Sequence, residues 1–137
     1  MRLIIYTDGA SRGNPGHASY GFTIADEKGN LLYEEGRYIG ITTNNVAEYT
    51  AVLQALRHVK EIYEKKHDLD YIEVFVDSKL VAEQLSGKYR IKAKHLKPII
   101  EKIQILALEL GGVIFGYIPR AENTLADRLA NKALDNR

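Results

Sequence analysis

Two stretches of this chain share one design, a short apolar run dense in β-branched and aromatic side chains that drives into an aspartate. Leu3-Ile4-Ile5-Tyr6-Thr7 leads to Asp8, and Tyr71-Ile72-Glu73-Val74-Phe75-Val76 leads to Asp77. Both runs predict strands, the first one buried on both faces. The first is expected to end at Asp8. A loop built from Gly, Ser, Asn and Pro, residues that turn a chain sharply, then follows up to Gly16.

Between these runs the pattern changes period. Ala18 to Ala25 alternates as a strand, Gly29-Asn30 marks a hairpin turn, and Leu31 to Ile39 returns. From Val46 to about Lys65 the apolar positions Tyr49, Val52, Leu53, Leu56, Val59 and Ile62-Tyr63 recur at helical spacing. Asn44 and Asn45, preceded by Thr43, are good cap residues for that helix, and Glu48 is expected in its first turn. His67 to Asp70 breaks it. After Asp77, Ser78 opens a short helix from Lys79 to about Leu85. Pro98 suits the start of another running to about Leu110, with Ile99, Ile103, Leu106 and Leu110 as its buried stripe and Gly111-Gly112 as its stop. Val113 to Ile118 is a last strand, and Thr124 to about Leu134 a last helix. The order βββ-α-β-α-α-β-α predicts an α/β fold. Its five-stranded mixed sheet is an antiparallel meander joined to parallel strands, with helices on its faces.

Composition narrows the function classes more than the fold. The 137 residues are expected to form a single domain spanning 1–137. No apolar run approaches bilayer length and Met1 leads straight into a strand, so neither a membrane segment nor an export signal is expected, and the cytoplasm is the expected location. With no cysteine, disulfides, thiolate chemistry and cysteine-based zinc sites are excluded. The net charge of +1 means that any nucleic-acid binding must come from a local patch. One candidate exists: residues 87–98 carry five Lys or Arg and no acid. This segment is either a solvated loop or a phosphate-contacting surface using Lys88 and Arg90, with Tyr89 available for stacking.

The chemistry lies in the acids. Alone, Asp8 could be a turn residue, and Glu48 and Asp127 could be first-turn acids that complement a helix dipole. Together they read differently. Parallel strands end at one edge of a sheet, where α/β folds place their ligands, and Glu48 and Asp127 open helices that could start beside that edge. Two unit charges about 4 Å apart repel by roughly 4 kcal/mol at an effective dielectric near 20. Such a cluster stays ionised only if cations neutralise it, and oxygen-only ligands select hard ions such as Mg²⁺ or Mn²⁺. A pair of such ions serves phosphodiester hydrolysis.

Four separated segments carry a resemblance. They are Tyr6-Thr7-Asp8-Gly9-Ala10 with Gly13-Asn14-Pro15-Gly16, then Thr42-Thr43-Asn44-Asn45-Val46-Ala47-Glu48, then Val76-Asp77-Ser78, and Glu122-Asn123-Thr124-Leu125-Ala126-Asp127. In this order, over nearly the whole chain, they resemble type 1 ribonuclease H. The resemblance implies an endoribonuclease that cuts the RNA strand of RNA–DNA hybrids with two Mg²⁺ ions, Mn²⁺ being a substitute, and leaves 3′-hydroxyl and 5′-phosphate ends. It implies that Asp8 is shared between the ions, that Glu48 and Asp77 are further ligands and that Asp127 is the more loosely held fourth. Glu48 would also contact a 2′-hydroxyl. Asn14, Asn44 and Asn45 would touch the minor groove, Thr43 a DNA phosphate, and the amides around Gly13 and Asn14 the RNA hydroxyls. Ser78 joins the expected substrate contacts, and a monomer is expected.

Two departures from the family pattern stand out. Many members carry a His in a longer loop before the last Asp; here the loop is Ile118-Pro119-Arg120-Ala121, and Arg120 is the candidate to contact a phosphate instead. The Trp- and Lys-rich protrusion of some bacterial members is absent, and this chain has no Trp. The Lys88–Lys97 segment is a shorter stand-in. Two alternatives stay open at this stage: a related nuclease that also cuts double-stranded RNA, and a non-catalytic hybrid-binding module.

Overall fold

The computed structural model describes residues 1–63, 69–88, 90 and 93–137. Its element order is β1 (Arg2–Gly13), β2 (Gly16–Asp26), β3 (Leu31–Thr42), α1 (Asn44–His58), β4 (Tyr71–Val76), α2 (Lys79–Leu85), α3 (Lys97–Glu109), β5 (Ile114–Tyr117) and α4 (Thr124–Asp135). The strands form one sheet in the order β3-β2-β1-β4-β5. β1 runs antiparallel to β2 and β2 to β3, whereas β1, β4 and β5 are parallel, as the sequence pattern predicts. No helix among the described residues is long and apolar enough to cross a membrane.

β1 departs from expectation in an informative way. It does not stop at Asp8 but continues to Gly13, so the expected loop shrinks to a hairpin turn at Asn14-Pro15. The cause lies in its two neighbours. Pairing with β4 ends at Tyr6↔Phe75, while pairing with β2 persists through Asp8↔Gly21 to Gly13↔Gly16. Asp8 therefore sits in mid-strand, at the point where one neighbour has ended and the sheet has a rim. Nor is β1 buried on both faces along its length. Leu3 and Ile5 are fully buried, but Ile4 and Tyr6 are half-buried on the opposite face, where Tyr6 stacks on Phe75 at 5.4 Å.

Helices cover the two faces unequally. Leu3, Ile5, Phe22, Ile24 and Val74 meet Tyr49, Val52, Leu56 and Val59 of the α1 side, joined by Ile100 and Ile103 of α3, in one core. Ile100, not the expected Ile99, carries the deep position of α3, since Ile99 is only partly buried. α1 starts two residues earlier than expected. Thr43 is its cap, accepting from the Val46 N–H at 3.3 Å, so Asn44 and Asn45 lie inside the helix and Glu48 stands beyond its first turn. After His58 the chain continues as a π-helical turn, Val59–Tyr63. The expected helix end at Lys65, the break beginning at His67 and the contact residue Tyr89 lie outside the described residues.

Two glycines beside Asp8 let helices come to backbone contact. A Cβ on Gly9 would lie 2.3 Å from the Glu48 nitrogen and 2.4 Å from the Ala47 carbonyl carbon. A Cβ on Gly21, the residue paired with Asp8, would lie 2.4 Å from the Ala126 oxygen of α4. Paired residues on antiparallel strands face the same side, so α1 and α4 grip opposite faces of the sheet at adjacent positions. Gly9→Ala must push α1 off β1; we expect a loss of about 2–3 kcal/mol, on the order of 10 °C in Tm, by thermal unfolding. A melting temperature within 2 °C (roughly the resolution of a difference of this size) would mean that the helix does not rest on this glycine.

Candidate active site

The rim formed where β4 ends is a cleft lined by Thr7, Asp8, Glu48, Val76, Asp77 and Ser78. Each acid arrives by a different route. Asp8 is fixed by the ladder to β2, and Asp77 follows the last residue of β4. Glu48 is delivered by α1 because Gly9 lets the Ala47–Glu48 peptide close on β1. Asp127, in the first turn of α4, is delivered by the contact of Ala126 with Gly21. Asp8, only 5% exposed, comes within hydrogen-bonding reach of both Asp77 and Asp127.

Crowding shows in the proton affinities. Burial, then the negative charge of Asp77 and the contact with Asp127, pushes the Asp8 carboxyl from its usual 3.8 up to about 9. Burial and then Asp77 raise Glu48 from 4.5 to about 7, although a hydrogen bond from Asn44 and the positive charge of Arg120 pull the other way. Arg120 therefore stands close enough to the cleft for its charge to be felt by Glu48. It projects from a short 3₁₀ turn, Arg120–Glu122, separated from β5 by Ile118 and Pro119.

Three asparagines hold three of the acids. Asn44 Nδ2 donates to Glu48 Oε1 at 2.9 Å, Asn123 Nδ2 donates to Asp77 Oδ2 at 3.1 Å, and Asn131 Nδ2 donates to Asp127 Oδ1 at 3.2 Å. Among the described residues, no three acid or imidazole side chains are closed tightly enough round a point to hold an ion as they stand. The donor set nevertheless fits hard cations. It consists of carboxylate oxygens, and the raised proton affinity of Asp8 and Glu48, due to burial first and to the charge of Asp77 second, is what a divalent ion at the cleft would offset.

The other expected contact residues group around this cleft. Asn14 and Asn44 are tied together, Asn14 Oδ1 accepting from the Asn44 N–H at 3.1 Å, with Asn45 exposed beside them. Gly13 turns the hairpin at φ +103°, a conformation that favours glycine. Thr43 and Ser78 both cap helices, Ser78 accepting from the Val81 N–H at 3.3 Å while it lines the cleft. Asn45 and Arg90 line a second groove with Leu80 and Gln84, and Val81 borders both grooves. Lys88 is exposed in the turn after α2. Sequence reasoning gave no role to Asn123, Asn131, Gly9 or Gly21. The first three lie in or near the quoted segments, but their partners are set only by tertiary contacts.

Known proteins resemble this chain in sequence and fold. The Reverse transcriptase-like family profile matches residues 6–133. Bifunctional protein Rv2228c of Mycobacterium tuberculosis is 39% identical over 136 residues, 98% of this chain but 36% of the relative, so the chain spans about a third of the length of that protein. RNase H1 from the halophilic archaeon Halobacterium salinarum superimposes with a TM-score of 0.92 at 37% identity, and the likeness covers 100% of both chains. LC11-RNase H1, solved in complex with an RNA/DNA hybrid, gives a TM-score of 0.93 at 45% identity over 98% of each chain. A likeness of this extent in both sequence and fold means that the chain belongs to the ribonuclease H family.

Proposed function

We propose that this chain hydrolyses the RNA strand of RNA–DNA hybrids, with two Mg²⁺ ions, or Mn²⁺ in their place, held by Asp8, Glu48, Asp77 and Asp127. The observation that carries this reading is the meeting of Asp8 with Asp77 and Asp127 at a sheet rim. Divalent ions held there supply charge neutralisation, activation of water and stabilisation of the leaving oxygen. The chain's own residues then divide the remaining work. Asp8, reached by acids from two other elements, is suited to be the shared ligand. Glu48 is tied through Asn44 to Asn14, so ligand and groove-facing residues move as one unit.

Recognition follows from the same surface. The wide minor groove and 2′-hydroxyls are how proteins tell RNA from DNA, and Asn14, Asn44 and Asn45 with the amides around Gly13 offer the donors and acceptors for that reading. Thr43, Ser78, Lys88 and Arg90, with Tyr89, would meet the backbone of the hybrid. Arg120, exposed and beside Glu48, is assigned to a phosphate next to the scissile bond. A module that merely bound hybrids would gain nothing from burying Asp8 among other acids.

Digestion of hybrids labelled on one strand or the other tests the activity. Cleavage confined to the RNA strand, lost on chelation and restored by Mg²⁺ or Mn²⁺, is the expected result; duplex RNA and duplex DNA in parallel separate the related nucleases. Intact RNA under both metals would overturn the proposal.

Asp8→Asn should abolish cleavage and also change how stability depends on pH. The fold binds a proton at Asp8 up to about pH 9 that the unfolded chain releases near 3.8. This contribution is therefore present in full below the lower value and lost as pH rises through the upper one. Metal-free native protein should melt progressively lower from about pH 5 to 9, and Asp8→Asn should flatten that fall and melt higher at about pH 8, on the order of 5 °C. Equal slopes would show that Asp8 is not under this strain.

Arg120→Ala should lower kcat by about 10-fold or more while hybrid affinity changes by less than about 3-fold, the pattern of an interaction realised in the transition state. An unchanged kcat would return Arg120 to the surface.

A further inference from the structure

Asn123 immediately precedes α4 and is 1% exposed. Asparagine is a favoured residue at such a position because its side-chain oxygen can accept from the first N–H groups of the helix. Here it does not. Its side chain makes no capping bond; Nδ2 instead spends its two protons on the Thr7 carbonyl, at 2.8 Å, and on Asp77 Oδ2, at 3.1 Å. Oδ1 is buried and has no hydrogen-bond partner among the described residues.

That orientation is forced. Turning the amide over would bring Oδ1 against two oxygens, so the two acceptors fix which end faces them. A buried, unpaired carbonyl destabilises a fold, and a capping role would not leave one. The side chain is thus committed to Asp77 at the expense of the local helix. The bond to Thr7 is equally telling, because Thr7 precedes Asp8 in β1. The main-chain oxygen of Asn123 also accepts from the Asp127 N–H at 3.2 Å. One residue therefore joins the β1 backbone beside Asp8, the carboxylate of Asp77 and the first turn of the helix that carries Asp127.

We infer that Asn123 is a positioning residue that sets the Asp77 carboxylate, and with it the spacing of the acid cluster, for divalent metal binding. This rests on the metal reading proposed above. The amide takes one lone pair of Oδ2 and holds the carboxylate in one rotation, leaving its remaining lone pairs for an ion. Partners of this kind, acting through a ligand, typically change metal affinity or activity by about 10–100-fold when removed.

The test is Mn²⁺ titration by calorimetry on the native protein, Asn123→Ala, Asn123→Ser and Asp8→Asn, with hybrid cleavage followed against Mn²⁺ concentration. Asn123→Ala is expected to bind Mn²⁺ about 10-fold or more weakly. Its kcat at limiting metal should fall and recover as Mn²⁺ is raised, with KM for hybrid little changed. Asn123→Ser keeps one donor and should fall between the two. Asn123→Asp, melted without metal, distinguishes a helix cap from the role inferred here. Aspartate caps helices as well as asparagine does, so a capping role predicts equal or higher Tm, whereas an acid facing the Thr7 carbonyl and Asp77 predicts a lower one. Native Mn²⁺ affinity in Asn123→Ala, or a Tm of Asn123→Asp at or above the native value, would overturn the inference. If Asp8→Asn also titrates like the native protein, the metal reading itself has failed; if Asp8→Asn alone loses Mn²⁺, only the role of Asn123 has.

Discussion

The constraint that shapes this molecule is the contact of two helix backbones with one short piece of β1. Gly9 lies against the Ala47–Glu48 peptide, and Gly21, across the ladder from Asp8, lies against Ala126. Any side chain at either position would hold a helix away from the sheet. Because the glycines lie next to Asp8 and face opposite sides, both helices deliver an acid to the same rim. Packing that is favourable along the core of α1 and α4 thus forces carboxylates together against their mutual repulsion.

The fold balances this repulsion with protons and amides. In the metal-free protein Asp8 and Glu48 hold on to protons well above their ordinary range, for reasons of burial first and neighbouring charge second. Asn44, Asn123 and Asn131 donate to the acids, and neutral donors can steady a carboxylate without cancelling its charge. Lysine or arginine in their place would satisfy the same oxygens and compete with the cation. The cleft is consequently short of positive charge, and of the cations nearby it is Arg120, on a turn at the mouth, that Glu48 feels. That arrangement suits a site whose positive charge arrives with a metal and whose substrate is a phosphodiester.

The segment between β5 and α4 contains a 3₁₀ turn with Arg120 at its head, so the positive charge that Glu48 feels from it is a guanidinium rather than an imidazole. Arg90 and Asn45 border a groove also lined by Leu80 and Tyr49, a surface both apolar and polar.

The sequence by itself determined the element order, the parallel and antiparallel character of the sheet and the four acids, because strand and helix periods and chain reversals are local properties. Whereas the cap of α1 fell on Thr43 and not on the expected Asn44 and Asn45, the β-rich runs before Asp8 and Asp77, the helical spacing from Tyr49 to Val59 and the helix start at Ser78 were all legible in that way. The extent of β1 past Asp8 was not, since it depends on β2 continuing to pair after β4 has ended. Nor was the role of Gly9 and Gly21, which read as turn or strand residues until a helix is laid on them. Asn123 had no role in the sequence and is bonded to Asp77 in the fold, because which acceptors surround a buried amide is decided by segments more than forty residues away. Local chemistry chose the groups; only tertiary packing decided which of them touch.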